Sequence, residues 1–199
     1  MNESDLRRHF DETGALLEGH FKLSSGLHSG RYLQCARVLQ FPDRAAALGT
    51  ALAAALAPFS PDAVVSPALG GIIIGHETAR ALNVRAVFVE RVEAVFALRR
   101  GFSLGKGERV AVVEDVVTTG KSTGEVLDVV RAAGAVPVVA GSIVDRRADR
   151  GAGDTVDGVP YRPLLTLDIA AWEPALCPLC GEGVPLVVPG SRHLAAAAR

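Results

Sequence analysis

The residues with the most chemical content sit together in Val110-Ala111-Val112-Val113-Glu114-Asp115-Val116-Val117-Thr118-Thr119-Gly120-Lys121-Ser122. An apolar run ends in two adjacent carboxylates, and a hydroxyl- and glycine-bearing loop follows. Successive loop N–H groups and the start of the next helix make a cradle suited to a phosphate monoester. Gly120 lets the backbone approach the phosphate closely. Thr118, Thr119 and Ser122 add hydroxyl donors. Two carboxylates beside an anion site require something between them and the anion. Sugar hydroxyls fit, because they donate hydrogen bonds to carboxylates.

Gly120-Lys121-Ser122 also resembles the end of a Walker A loop. That motif needs a glycine at position 115, and this chain has Asp115 there. A carboxylate aimed into a triphosphate cradle would repel it, so the nucleotide-triphosphatase reading is set aside. A plainer alternative is that Glu114 and Asp115 only cap the helix. The coincidence of an acidic pair, a buried strand and a Thr-Thr-Gly turn favours binding.

Arginines supply the cations. The chain has only three lysines, Lys22, Lys106 and Lys121, so anion binding falls mostly to Arg. Arg146 follows the apolar run Ile143-Val144, at the carboxyl end of a buried strand, where a ligand role outweighs a surface ion pair with Asp149. The segment from Arg91 to Gly107 is long for a connection between elements, and long loops in compact domains are often lids. It carries Arg91, Arg99, Arg100 and Lys106.

Cys177-Pro178-Leu179-Cys180 is a single C-x-x-C. A zinc site needs two more ligands, for which Cys35 and His193 are candidates by count only. A redox pair belongs at a helix start in a thioredoxin-like unit, which the pattern does not provide. The expected reading is a small apolar turn, with no metal site. Of His20, His28 and His76, His28 is the one worth testing as a ligand group.

These groups must be positioned by elements. Ser4 is the expected cap of a short helix ended by Gly14. Ala15–Gln34 reads as irregular strands or a hairpin. Pro42 opens a long Ala-rich helix that stops at Pro58, and Gly49, Ala53 and Ala57 give it a small-residue face. Strands are expected at Ala63–Val65, Val84–Glu90, Arg109–Glu114 and Val136–Val144, with helices at Ile72–Leu82 and Ser122–Ala133. The strands are apolar runs without polar alternation, as in a parallel sheet covered on both faces. Their alternation with helices predicts a doubly wound, mostly parallel α/β fold with ligands beyond the carboxyl ends of the strands. The tail after Leu176 is weakly patterned, and its last residues are expected to be disordered.

Composition narrows the class. At 199 residues, 49% apolar and 22% charged, the chain is ordinary for one globular domain. A net charge of −1 gives no global field for nucleic acid or an anionic membrane. Three cysteines do not build a disulfide framework. The N-terminus lacks the pattern of a signal peptide. The apolar helix Ala45–Ala57 is too short to span a bilayer. A cytoplasmic location is expected.

The segment Glu114–Ser122 resembles the phosphoribosyl-pyrophosphate motif of type I phosphoribosyltransferases, and more of the chain resembles the orotate phosphoribosyltransferase family. Phe21-Lys22-Leu23-Ser24-Ser25-Gly26-Leu27-His28-Ser29 is similar to its base-binding segment, Ser66-Pro67-Ala68-Leu69-Gly70-Gly71-Ile72 to its pyrophosphate loop, and Ile143-Val144-Asp145-Arg146 to its orotate-contacting strand end. Order and spacing agree over roughly residues 14–150. The resemblance implies a single domain over 1–199, with a core of approximately 41–150 and a small N-terminal base-binding hood of approximately 14–40 joined by part of the C-terminal segment.

It also implies residue roles. Glu114 and Asp115 hold the ribose hydroxyls. Thr118, Thr119, Gly120, Lys121 and Ser122 hold the 5-phosphate, with Thr118 near the base and Val116 and Val117 completing the segment. Arg146 meets the orotate carboxylate, while Asp115, Arg91, Arg99 and Arg100 serve catalysis. Mg²⁺ accompanies phosphoribosyl pyrophosphate, and a homodimer shares its active sites through the mobile loop. Three departures stand out. Ser24 and Leu69-Gly70 occupy places where many members carry Lys and Tyr-Lys, and the loop has no His. Two rivals are a transferase for another base and a phosphoribosyl-pyrophosphate-sensing regulator that binds nucleic acid. Arg146 argues against the first, and the near-neutral charge and lack of a spare domain against the second.

Overall fold

In the computed structural model, residues 1–23, 25–147 and 154–189 are described. Ser24, Asp149, His193 and the terminal residues expected to be disordered lie outside them. The elements in order are α1 (Glu3–Thr13), β1 (Leu16–Lys22), β2 (His28–Leu33), α2 (Ala36–Leu39), α3 (Pro42–Leu56), β3 (Ala63–Pro67), α4 (Gly71–Leu82), β4 (Arg85–Val92), β5 (Val95–Leu98), β6 (Arg109–Val117), α5 (Lys121–Ala132), β7 (Val136–Asp145), β8 (Thr155–Val156), β9 (Val159–Thr166), β10 (Ala171–Trp172), α6 (Pro178–Gly181) and β11 (Leu186–Val187).

The apolar strands build a seven-stranded sheet in the order β5-β4-β3-β6-β7-β9-β8. The pairs β4–β3, β3–β6, β6–β7 and β7–β9 are parallel, and only the outermost strands β5 and β8 run antiparallel. Both faces are covered. Val64, Ala111 and Val113 pack with Leu48, Leu52, Leu56 and Ile74 of α3 and α4. Their strand neighbours Val65, Val110 and Val112 pack with Val126, Leu127 and Val130 of α5. Adjacent residues thus serve opposite cores, which is why these strands show no polar alternation.

Close helix packing depends on glycine. A Cβ on Gly49 would stand 2.5 Å from the Glu77 Cβ of α4, and one on Gly75 2.5 Å from the Ser66 hydroxyl oxygen. No ordinary Cβ survives at such distances, so α3, α4 and β3 can approach only with glycine at these positions. The small-residue face expected on α3 is therefore a real contact surface at Gly49.

A second sheet, in the order β10-β2-β1-β11, forms from the two ends of the chain. β1 and β2 make the expected antiparallel hairpin, with a register shift between Glu18 and Phe21. Strands from the C-terminal segment flank it on both sides.

Several local expectations are corrected. The cap of α1 is Asn2, whose Oδ1 accepts from the Asp5 N–H at 2.8 Å, rather than Ser4. The span from Arg91 to Gly107 is not one long loop. β4 continues to Val92 and pairs back onto β5 through a two-residue turn, in which Glu93 and Ala94 take φ of 49° and 74°. The main sheet also runs past residue 150, through β8 and β9.

Candidate active site

In the parallel part of the sheet, β3 and β6 are neighbours, and the helices that follow them lie on opposite faces. The strand order reverses there, leaving a crevice beyond the two carboxyl ends, where doubly wound sheets bind ligands. The loop after Pro67 and the acidic end of β6 meet in that crevice. A Cβ on Gly70 would stand 2.8 Å from the Asp115 Oδ2.

Glu114 is 8% exposed and Asp115 half-buried at the end of β6. Burial, then the charge of Asp115, holds the Glu114 carboxyl well above the usual carboxylate range. Burial also raises Asp115, against a hydrogen bond that its Oδ1 accepts from the Val116 N–H at 2.9 Å. Burial is the main cause in both carboxyls, with the Asp115 charge adding to it for Glu114, so their charged forms lack full stabilisation. Hydroxyl donors or a cation would satisfy them.

β6 extends through Asp115, Val116 and Val117, three residues past the strand end expected at Glu114. Thr118, Thr119 and Gly120 then make the turn, with Gly120 at φ 78° as the N-cap of α5. The Lys121 N–H is held by Thr119 Oγ1 at 3.3 Å. Thr119, Lys121 and Ser122 are exposed, and the first amides of α5 are available to an anion. Hence the expected cradle is accessible.

Arg146 and Arg147 diverge sharply. Arg147 is locked to Asp145 by three hydrogen bonds of 3.0–3.2 Å, donates to the Thr155 carbonyl at 2.8 Å and lies over the Tyr161 ring. Arg146 follows the strand toward the site, and its Nε is buried with no hydrogen-bond partner among the described residues. Burial lowers its pKa, an effect opposed by Tyr32. A partly desolvated guanidinium with an orphaned donor is poised for an anion.

Tyr32 of β2 was not singled out by motif. Burial raises its pKa, with Asp115 and Cys35 adding to the effect and Arg146 opposing it. It therefore lies close enough to Asp115 and Arg146 to feel their charges, and it joins the hairpin to the site. Cys35 is fully buried beside the same carboxylates, its thiol pushed well up by burial, so it is inert.

The loop arginines lie on the β4–β5 hairpin. Arg91 pairs with Glu125 of α5 at 2.6 Å and stacks over the Phe96 ring at 4.0 Å. Its charge acts on Glu114. Arg100 forks Glu90 with two bonds of 2.8 Å, and Arg99 beside it is exposed. Cys177 and Cys180 are not an isolated turn: they face His20 and His28.

Comparison with known proteins agrees with this geometry. Residues 37–159 match the family described as phosphoribosyl transferase domain. The chain is 48% identical over 190 residues to an orotate phosphoribosyltransferase of Thermotoga maritima, covering 95% of this chain and 99% of that one. It is 50% identical over 194 residues to that of Caldicellulosiruptor bescii, covering 96% and 99%. The crystal structure of orotate phosphoribosyltransferase from Aeropyrum pernix superposes with a TM-score of 0.68 at 29% identity, over 81% of this chain and 93% of that one.

Fold and site thus define a phosphoribosyltransferase. The chain belongs to the orotate phosphoribosyltransferase family.

Proposed function

We propose that the protein transfers the 5-phosphoribosyl group from phosphoribosyl pyrophosphate to orotate, giving orotidine 5′-phosphate and pyrophosphate. The observation that carries this reading is the buried Arg146 Nε, just past the end of β7, which has no hydrogen-bond partner among the described residues. Among pyrimidine bases, orotate brings the carboxylate that a guanidinium fork recognises.

In this reading, Thr118–Ser122 and the start of α5 bind the 5-phosphate. Glu114 and Asp115 accept hydrogen bonds from the ribose hydroxyls. Binding in that way orients the anomeric carbon between the base and the pyrophosphate, which lies toward the Ala68–Gly71 turn. The orotate nitrogen displaces pyrophosphate at that carbon with oxocarbenium character, so positioning and charge stabilisation supply most of the catalysis. The crowded carboxylates suit a hard cation, and Mg²⁺ neutralises pyrophosphate charge when bound with the substrate. We assign the leaving-group role to Arg91, Arg99 and Arg100 of the β4–β5 region.

We assign the Asp115 site to a homodimer in which the β4–β5 region of one chain serves the other's site. No helix of the described residues is long and apolar enough to cross a membrane, in keeping with a cytoplasmic enzyme. The substrate assignment is tested by comparing turnover of orotate with that of uracil, which lacks the carboxylate. Orotate should be strongly preferred, and the preference should collapse in Arg146→Ala. Equal use of both bases by the unmodified protein would refute it.

A further inference from the structure

Four side chains from distant parts of the chain converge at the edge of the smaller sheet. They are His20 of β1, His28 of β2, Cys177 and Cys180 of the C-terminal segment, and one donor atom from each lies within 4.8 Å of all the others. His20 Nε2 is 3.0 Å from His28 Nδ1 and 3.4 Å from the Cys177 sulfur. The Cys180 sulfur is 3.3 Å from His28 Nδ1 and 3.7 Å from His20 Nε2.

These separations have a simple interpretation. In a tetrahedral zinc site, Zn–N bonds of about 2.0–2.1 Å and Zn–S bonds of about 2.3 Å put neighbouring donors roughly 3.3–3.8 Å apart. The observed distances are close to the edges of such a tetrahedron. His20 is also held as a metal ligand is held. Its Nδ1 lies 2.8 Å from the Val184 carbonyl, which can only accept. Nδ1 therefore carries the proton, and Nε2 directs its lone pair into the cluster. His20 is 2% exposed, His28 6% and Cys177 5%, whereas Cys180 is exposed, so three of the four donors are already withdrawn from water.

We infer that His20, His28, Cys177 and Cys180 form a structural zinc site. Two thiolates and two imidazoles in a tetrahedral array select zinc over harder cations. Four protein ligands leave no open position for substrate, so the role is architectural. The surrounding segment explains the need. β10 and β11 have two residues each, α6 has four, and Leu176, Leu186, Val187 and Val188 are exposed. With so little apolar burial, the segment has weak means of holding itself against β1 and β2. A metal cross-link would join it to the hairpin and fix the end of β2 opposite Tyr32. This inference is independent of the reaction proposed above.

The test uses the full chain, purified without a histidine tag. Elemental analysis should find about one zinc per chain. Exchange into Co²⁺ should give tetrahedral d–d bands with thiolate-to-cobalt charge transfer, a signature that needs no mutant. Cys177→Ser with Cys180→Ser should lose the metal and lower the melting temperature. A chain that purifies without metal and gives no tetrahedral cobalt spectrum would overturn the inference. So would intact mass showing a Cys177–Cys180 disulfide in fresh protein, or full zinc retention by the double serine variant.

Discussion

Gly70 lies directly against Asp115, with only 2.8 Å between the place of a Cβ on Gly70 and the Asp115 Oδ2, and 3.0 Å to its Oδ1. The two residues close the crevice where the order of the parallel strands reverses. A side chain at position 70 would begin hard against the Asp115 carboxylate, so the turn packs tightly on the acidic pair. Gly70→Ala should displace Asp115 or the turn, lowering kcat/KM by on the order of 10- to 100-fold with the fold retained. Wild-type kinetics for this variant would show that the contact is not needed for turnover.

Asp115→Asn keeps the shape and removes the charge. A charge-assisted hydrogen bond contributes about 1.5–3 kcal/mol, so turnover should fall at least about tenfold. Circular dichroism should be unchanged. Near-normal steady-state rates would remove Asp115 from the ribose contacts.

The adjacent arginines should behave as opposites. Arg146→Ala should raise the KM for orotate much more than that for phosphoribosyl pyrophosphate, with little loss of stability. Arg147→Ala strands the Asp145 carboxylate, which is 1% exposed. Breaking such a buried pair costs about 3 kcal/mol or more, so its melting temperature should drop. Substrate titrations and thermal melts on both variants decide this, and a reversed pattern would refute the assignment.

Much of this was legible in the chain. The strand ends, the acidic pair and the loop to Ser122 follow from apolar runs meeting Asp, Thr and Gly. The β4–β5 hairpin did not, because its turn is Glu93-Ala94, without the Asn or Gly that usually announces positive φ. β9 was hidden by Pro160 and Pro163, which argue against a strand interior. Pro163 lies past the two residues that pair with β8, on an open edge where proline is tolerated, and Pro160 sits at the start of the strand, before its pairing with β7 begins. The His-Cys cluster joins residues about 150 positions apart, and no local pattern signals such a meeting.

Stability should depend on Glu114 in a definite direction. Its folded-state pKa lies well above the ordinary value, so the native state keeps a proton that the unfolded chain releases. Stability from this group therefore falls as pH rises from the ordinary carboxylate range through the raised value. Glu114→Gln should melt higher than wild type at neutral pH, and the gap should close near about pH 4. A gap that instead widens toward acid would contradict the buried-carboxyl account.

A shared-site dimer makes a mixing prediction. Asp115→Asn subunits combined with subunits carrying Arg99→Ala and Arg100→Ala should regain activity, because a mixed dimer gathers both defects in one site and frees the other. The Arg100–Glu90 pair is exposed, so its loss should not unfold the hairpin. No recovery after verified subunit exchange would place the arginines in their own chain's site.

The central claim is the reaction itself, and orotate absorbance reads it directly. Adding the protein to orotate, phosphoribosyl pyrophosphate and Mg²⁺ should deplete the orotate signal, with one pyrophosphate released per orotate consumed and the signal restored on adding excess pyrophosphate. An unchanged orotate signal, while adenine or another base lacking a carboxylate is consumed under the same conditions, would contradict it.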